Sequence, residues 1–546
     1  MRCNAGVRIL IIIPRFNLRL GKKHRQSVIP IGLGYISSVL KHNGYEVDFL
    51  NLYVYDRSID GLIRETLQKK EYNYILTGGL SAHYSVVKEC VDSVRKYAPF
   101  SRVILGGGII SSQPDLMFKG LQPDYIVIGE GEMTILELLE YLEENGDITT
   151  VEGIGYRDQK DKLVLTNPRK VIGNLDSLPL PDYEGLGLDD ILEHTFPSQM
   201  YAYDLVDFPR GYPLLASRSC PYLCTFCFHP IGNKYRQRSI PNIINEIAFA
   251  IKRYKINIID IYDEHFSNDR KRVYDFCSQI KQLSRDAPWG IKWNCQMRVD
   301  TIDEELIETM KDAGCYLLQL GLESYSPIVL ESMRKKITPQ QIDSALRITR
   351  RLNMTIQGNF IFGDVAETKE TAYETMNYWK NNYHLFGGGI SLDFIQLYPG
   401  TALYKHALRK RIIKNEINFV KHHMLEPINI TDSMTEKEYN QLLRDIIDRR
   451  FRYSKYQRPL LVKKNNRIYE IHVKCPYCNV ISIYKNYIPP GIHSYQKNDI
   501  CCRNCRMRFY VVSLPFKLFI LIFRIIPKNF QPHLYSLLKL IKRILG

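Results

Sequence analysis

The chain lacks most of what an exported or membrane-spanning protein needs. Met1 is followed within a few residues by the strand-like run Val7-Arg8-Ile9-Leu10-Ile11-Ile12-Ile13, where a signal peptide would place a charged segment and a cleavage site. No apolar run is long enough to cross a bilayer. The strongest, residues 516–526, is broken by Lys517 and Arg524 and stops at Pro527. Disorder-prone bias is missing too, since 45% hydrophobic and 24% charged residues are values of a folded protein. Acidic residues are absent after Asp499. Cysteine, by contrast, is plentiful. Seven of the 13 stand in C-x-x-C-type groupings, and without an export signal this argues for metal ligation, not disulfides, and for a cytoplasmic, reducing location. A length of 546 residues exceeds one core and suggests about three or four domains. The net charge of +16 points to nucleic acid or anionic lipid, and its distribution must decide.

Residues 1–149 read as alternating strands and helices. Strands are expected at residues 9–13, 46–50, 74–77, 102–105 and 125–128, with helices from Ile31 to Asn43-Gly44 and over residues 85–97. Such spacing implies a parallel, doubly wound, flavodoxin-like sheet with ligands at the carboxyl ends of its strands. Glycines mark those ends: Gly78-Gly79, Gly106-Gly107-Gly108 and Gly129-Glu130-Gly131-Glu132. Glycine there lets backbone approach a flat or phosphorylated ligand. Residues 150–205 form a linker with a small hairpin and the run Leu178-Pro179-Leu180-Pro181-Asp182-Tyr183.

Residues 206–440 repeat a βα pattern six times. Strands are expected at residues 214–217, 258–262, 292–296, 316–321, 355–362 and 390–397, which suggests a partial (β/α)6 barrel. Cys220, Cys224 and Cys227 follow the first strand in the run Ser-Cys-Pro-Tyr-Leu-Cys-Thr-Phe-Cys-Phe-His-Pro. Iron–sulfur clusters are normally held by four thiolates, so three leave one iron open to a substrate or cofactor. The alternatives are a zinc knuckle or three unrelated thiols. Tyr262-Asp263-Glu264, Arg298, Gly321-Leu322-Glu323-Ser324 and Leu397-Tyr398-Pro399-Gly400-Thr401 follow later strands. Cys277, Cys295 and Cys315 read as packing thiols.

The C-x3-C-x2-C spacing resembles the cluster loop of the radical S-adenosylmethionine (SAM) enzymes, in which SAM chelates the unique iron of a [4Fe–4S] cluster and is cleaved by one electron to a 5′-deoxyadenosyl radical. The runs Pro30-Ile31-Gly32-Leu33-Gly34-Tyr35, Leu105-Gly106-Gly107-Gly108 and Ile128-Gly129-Glu130-Gly131-Glu132 resemble the cobalamin-binding domain that precedes many of them. That resemblance implies cobalamin contacts at Gly78, Gly79, Gly106, Gly107, Gly108, Gly129, Glu130 and Gly131. The Asp-x-His-x-x-Gly motif that gives other cobalamin proteins a lower axial histidine is absent. Either cobalamin binds without it or the domain has lost the cofactor. The resemblance also implies that Asp263 and Glu264 meet the SAM ammonium, Glu323 and Ser324 the ribose or methionyl polar groups, and Phe226 the adenine. Arg298 would hold the carboxylate through its bidentate fork. Residues 363–368, Gly-Asp-Val-Ala-Glu-Thr, depart from the usual Pro-Gly-Glu-Thr and receive no ligand role.

A second cysteine group lies in residues 441–512. Cys475-Pro-Tyr-Cys478 and Cys502-Arg-Asn-Cys505 supply the four thiolates of a closed structural Zn2+ site, a zinc ribbon, with a rubredoxin-like iron site as the alternative. Cys501 is adjacent and could exchange with Cys502. Residues 513–546 carry a basic amphipathic tail, with Leu534, Leu537, Leu538, Ile541 and Leu545 at helical spacing and Lys539, Lys542 and Arg543 off that stripe. This is the pattern of a helix lying in an anionic membrane surface, against a helix packed on the protein itself. The basic residues flank aliphatics, not interleaved aromatics, so nucleic acid is not expected.

The family implied is a cobalamin-binding radical SAM enzyme. Its expected activity is methylation of an unactivated carbon in a small-molecule or lipid-linked substrate, with an electron donor such as flavodoxin or ferredoxin. The alternatives are radical rearrangement or cyclisation without methyl transfer, or a cobalamin-free enzyme whose N-terminal domain binds a protein partner.

Overall fold

Five aliphatic residues in a row, Ile9 to Ile13, have no polar face to offer solvent, and each is 1% exposed or less. That is how a central strand behaves in a parallel sheet covered on both faces. The structure, a computed structural model, describes residues 6–15, 29–55, 57–144, 146–197, 202–466, 468–487 and 498–525. Two compact units emerge: Met1–Ile191 with Ser217–Asn242 and Gln396–Ile428, and Leu192–Ala216 with Ile243–Ile395 and Asn429–Gly546.

In the first unit, Arg8–Ile13 lies between Glu46–Asn51 and Tyr74–Gly78, followed by Arg102–Gly106 and Tyr125–Val127, all parallel. Helices Ile31–His42, Ile59–Lys69, Tyr84–Tyr97 and Pro114–Leu121 supply the crossovers, and Glu132–Glu144 leads on to the hairpin. The first of them stops at Asn43, with Gly44 at φ 84, the left-handed exit that glycine permits. This is the doubly wound sheet expected. The linker hairpin, Ile154–Arg157 and Leu163–Leu165, adds two antiparallel strands to the same sheet beyond Tyr125–Val127. The unit also contains the cysteine loop, bounded by the short antiparallel pair Ser217–Arg218 and Arg236–Gln237.

In the second unit, Gly211–Leu214, Ile258–Ile261, Lys292–Arg298, Cys315–Glu323, Thr355–Phe362 and Ile390–Phe394 pair in parallel in chain order. The first strand lies three residues earlier than the sequence suggested. Pro213 reads as a boundary, yet this is the sheet's edge, where a residue without an N–H is tolerated. Helices Arg270–Leu283, Glu304–Asp312, Pro339–Arg351 and Lys369–Asn381 each begin at a side chain that accepts a first-turn N–H: Asp269, Asp303, Thr338 and Thr368. These caps fix where the strand-end loops stop.

The amino ends of the same strands are covered by the C-terminal segment. Cys501 packs with Ala202, Tyr203, Ile258, Tyr316 and Leu317, and its sulfur lies 3.4 Å from Thr355 Oγ1. Gly388 N–H donates to the Arg508 carbonyl at 2.8 Å. The carboxyl ends, which carry the candidate residues, are at the opposite rim.

Helix Leu514–Ile525 turns Phe516, Ile520 and Phe523 inward, and Phe516 and Ile520 join Tyr456, Tyr510 and Val512 in one cluster. Its other face exposes Leu514, Leu518, Leu521, Ile522 and Ile525. Arg524, expected to face lipid, instead donates to the Ser454 carbonyl at 2.8 Å. Its planar head reaches the backbone beside its own helix. Lys528, Lys539, Lys542, Arg543 and the leucine stripe from Leu534 to Leu545 lie outside the described residues. Among the described residues no helix is long and apolar enough to cross a membrane.

Candidate functional site

The three cysteines sit on one loop in graded environments: Cys224 is buried, Cys220 half-buried and Cys227 exposed. A turn closes the loop, with Cys227 N–H donating to the Cys224 carbonyl at 3.1 Å, while the Thr225 carbonyl accepts from Leu403 N–H at 3.2 Å. Phe226, the expected adenine neighbour, is half-buried. Phe228 packs on two glycines. A Cβ at Gly108 would lie 3.3 Å from its ring, and one at Gly400 would lie 2.7 Å away. Next to it, both ring nitrogens of His229 and the Thr225 hydroxyl are buried without a hydrogen-bond partner among the described residues. Burial lowers the His229 pKa, favouring the neutral ring. Buried polar atoms are rarely left unsatisfied in a folded protein. A loop that leaves three beside its thiols fits a polar group bound there.

The glycines at the sheet's rim divide into two kinds. Gly78 and Gly106 stand on neighbouring strands, where a Cβ on Gly78 would lie 2.2 Å from the Gly106 carbonyl oxygen. Gly79 is filled by the His83 ring at 2.7 Å, Gly107 by Gly79 at 3.3 Å, and Gly131 by Ile36 at 2.9 Å. These five answer to contacts within the protein. Gly129 differs. Its φ is +80 and nothing lies within 4 Å of the Cβ it lacks, so a flat ligand can approach its backbone.

Glu130 was expected among the cobalamin contacts, but its carboxylate is already taken. It accepts from Arg218 Nη1 at 2.7 Å, Arg236 Nη1 at 2.8 Å and Ile172 N–H at 2.6 Å. Glu132 accepts from Arg218 Nη2 at 2.6 Å, and the Arg218 guanidinium lies 5.0 Å from the Tyr35 ring centre. All four charged side chains are under 9% exposed. Burial alone would raise the Glu130 pKa, but the hydrogen bonds from Arg218 and Arg236 more than offset it and hold the carboxyl low. Isolated arginines give no sequence signal, so the motif search missed both. Their position, one just before Ser219-Cys220 and one closing the loop, is the clue that was available.

In the second unit, the candidate residues gather at the carboxyl rim. Asp263 is fully buried, and one oxygen accepts from Ala216 N–H at 2.7 Å, tying the end of the second strand to the residues that follow the first. Glu264 beside it reaches solvent on one side, and the protein packed around its other sides, then the charge of Asp263, raises its carboxyl. Arg298 does not offer an open fork. Nε and Nη2 pair with Asp300 at 3.0 and 2.9 Å, and Nη2 also reaches the carbonyls of Lys335 and Lys336. The carboxylate two residues on satisfies it. Lys335, which carries no sequence signal, donates to Glu323 at 2.6 Å and so links Arg298 to Glu323. Glu323 adopts φ 63, a left-handed conformation that costs a side-chain-bearing residue roughly 1–3 kcal/mol and concentrates at functional sites. Ser324 Oγ lies 3.1 Å from Thr375 Oγ1 and accepts from Ser326 N–H. His265, buried in the same rim, has its pKa lowered to about 4 by burial and by Arg298. Cys277, Cys295 and Cys315 are buried, as expected of packing thiols.

The C-terminal thiols form the tightest cluster. The sulfurs of Cys475, Cys478, Cys502 and Cys505 all lie within 4.8 Å of one another. Cys475 and Cys505 are 3.6 Å apart, and Cys478 and Cys502 are 3.7 Å apart. Bonds of about 2.3 Å to a tetrahedral Zn2+ would put its sulfurs at nearly this spacing, so the set fits that ion. Cys502 faces the other three thiols. Cys501 points instead to Thr355 and to the Arg506 carbonyl at 3.2 Å.

Comparison with known proteins adds two domain matches, the Radical SAM superfamily over residues 214–378 and the B12 binding domain over residues 20–139. The chain is 27% identical to a Pyrococcus horikoshii protein named as an uncharacterized methyltransferase, across 85% of this chain and 95% of that one. It is 26% identical to the cytidylyl-2-hydroxyethylphosphonate methyltransferase of Streptomyces wedmorensis, across 71% and 79%. Its fold is similar to that of the radical SAM methyltransferase TsrM from Kitasatospora setae, solved with cobalamin and a [4Fe–4S] cluster. The TM-score is 0.59 at 16% identity, covering 73% of this chain and 75% of that one.

Proposed function

We propose that this chain, which belongs to the radical SAM enzymes carrying a B12-binding domain, is a cobalamin-dependent methyltransferase acting on an unactivated carbon of a small or lipid-linked molecule. The observation that carries the reading is the loop of residues 219–235, whose three thiols stand beside buried polar atoms with no partner among the described residues. When bound, the cluster supplies the electron that cleaves SAM and cobalamin supplies the methyl group. The protein's part is to hold and shield. Cys220, Cys224 and Cys227 hold three irons, and the open backbone at Gly129 receives the corrin. Asp263 and Glu264 face the SAM ammonium, Glu323 and Ser324 its ribose or methionyl groups, and Phe226 its adenine. Arg298, engaged by Asp300, organises the rim and does not clamp a carboxylate. The electron would come from a flavodoxin or ferredoxin.

The test is anaerobic reconstitution with iron, sulfide and hydroxocobalamin, followed by SAM and dithionite. We expect 5′-deoxyadenosine, and a corrin spectrum that survives desalting. Absence of deoxyadenosine overturns the radical reading; loss of the corrin leaves radical chemistry without methyl transfer.

Two further assignments belong to this reading. Cys475, Cys478, Cys502 and Cys505 hold a structural Zn2+. Residues 514–546 rest on an anionic membrane surface, a reading supported by the exposed Leu514, Leu518, Leu521, Ile522 and Ile525 and by the basic residues that follow. A chain ending after Ile525 keeps the inward face of the helix and should bind anionic liposomes more weakly than the full chain. Equal binding by both would leave residues 526–546 no part in it, and binding by neither would remove the tail from the membrane and the lipid-linked substrate with it.

A further inference from the structure

The four-charge cluster around Glu130 ties down both ends of the cysteine loop. Arg218 ends the strand that enters it and Arg236 opens the strand that leaves it, and the two residues pair directly across the ladder. Both guanidinium groups converge on Glu130, and Arg218 spans to Glu132 as well. Glu130 lies in the turn that follows the strand Tyr125–Val127 of the seven-stranded sheet, and Glu132 opens the helix after it. The linker closes the set, because Arg236 Nη1 donates to the Ile172 carbonyl at 2.8 Å while Ile172 N–H donates back to Glu130. Two carboxylates face two guanidinium groups, so the cluster is neutral as a whole and every charge has a partner. Such a group holds its geometry well when complete and fails sharply when one member is removed.

We propose that Glu130, Glu132, Arg218 and Arg236 are positioning residues that lock the cysteine loop to the carboxyl end of the B12-type sheet, so that the sheet and not the loop's own turns sets where the three thiols stand. This rests on the cluster reading above for its consequence, but the lock itself is a property of the protein alone. It has a corollary for the sequence. The Gly-Glu-Gly-Glu run at residues 129–132 divides its labour, with Gly129 open to a ligand and the two glutamates turned to the loop.

Hydrogen exchange on the full chain, before any cofactor is loaded, tests the lock directly. Glu130→Gln keeps the shape but leaves two arginines without their shared charge, and amides of residues 219–235 should exchange about tenfold faster or more. Amides of the strand Thr355–Phe362 should be unchanged. Glu132→Gln, which leaves Arg218 with Glu130, should give a smaller acceleration in the same loop and serves if the first variant fails to fold. After reconstitution, the reduced cluster of Glu130→Gln should give a broadened or doubled electron paramagnetic resonance signal that Glu130→Asp partly restores, an effect a merely structural role would not produce. Unchanged loop exchange in both glutamine variants, or a wild-type signal from Glu130→Gln, overturns the proposal. If wild-type protein assembles no cluster yet the loop exchange still responds, the lock stands and the functional reading falls.

Discussion

The chain carries two cysteine groups that solve different problems. The C-terminal set is closed on itself, four sulfurs within 4.8 Å, with its position fixed by hydrogen bonds around it. Arg350 donates to the Cys505 carbonyl, Asn353 to the Asn504 carbonyl and Arg503 to Asp207 and the Asp204 carbonyl. Every ligand of a tetrahedral ion is there, and no coordination position is left for a substrate. The set lies at the amino ends of the parallel strands, the face of a (β/α) fold that serves stability and not chemistry. The N-terminal set has three sulfurs, grades from buried to exposed and leaves the His229 ring and the Thr225 hydroxyl without a partner among the described residues. Its position comes from salt bridges outside the thiols. Closure suits a structural site, and incompleteness with external support suits a reactive one.

The largest effect that could break this contrast comes from removing thiols on each side. Replacing Cys220, Cys224 and Cys227 by alanine should abolish 5′-deoxyadenosine formation while the bound zinc stays at about one per chain. Cys502→Ala should reverse the pattern, with zinc lost, the C-terminal region destabilised and SAM cleavage largely intact in protein that remains folded. Cys501→Ala is the control. It should keep zinc and cost about 1–3 kcal/mol by loosening the contacts with Ile258, Tyr316 and Leu317. Metal analysis, product assay and denaturant unfolding on the three variants decide the matter. Zinc loss from Cys501→Ala but not Cys502→Ala would exchange the two residues.

How much of this was readable beforehand depended on whether partners lay near in sequence. Buried parallel strands announce themselves as aliphatic runs, so Arg8–Ile13 and Thr355–Phe362 stood where the pattern put them. Each C-x2-C pair spans four residues, so its two thiols were legible as a pair, whereas their convergence and the placement of Cys502 and not Cys501 beside the other three needed coordinates. The salt-bridge cluster was invisible because its partners are 88 and 106 residues apart and an arginine has no period. Arg298 is a different case. Its partner Asp300 is two residues away and was displayed by the sequence, whereas its reach to the carbonyls of Lys335 and Lys336 needed coordinates. The glycines pose a similar choice, since a strand-end glycine can serve a ligand or a neighbouring strand, and at Gly78 the neighbour is Gly106.

The smaller effect sharpens the comparison through pH, because one buried carboxyl near each cysteine group is shifted in the opposite sense. Glu130 is held below its ordinary value of 4.5. Its contribution to stability is therefore full above that pH and is lost as pH falls through the lower folded value. Asp204, whose side chain accepts from Cys501 N–H beneath the ribbon, is raised by burial from 3.8 to about 6, although Arg508 and the Cys501 hydrogen bond oppose the shift. Its folded state binds the proton more tightly than its unfolded state, so its contribution is full below pH 3.8 and declines as pH rises to about 6. Over that interval the slope approaches at most about 1.4 kcal/mol per pH unit for one proton. Asp204→Asn mimics the neutral acid and can still accept from Cys501 N–H. It should match wild type near the acid end of the interval and become the more stable of the two above pH 6, while Glu130→Gln should be less stable than wild type throughout the neutral range. Chemical denaturation of the three proteins across pH measures both signs. If Asp204→Asn is the less stable protein at neutral pH, the carboxylate is stabilised there by its charge, and the ribbon is held by an ion pair much as the cysteine loop is.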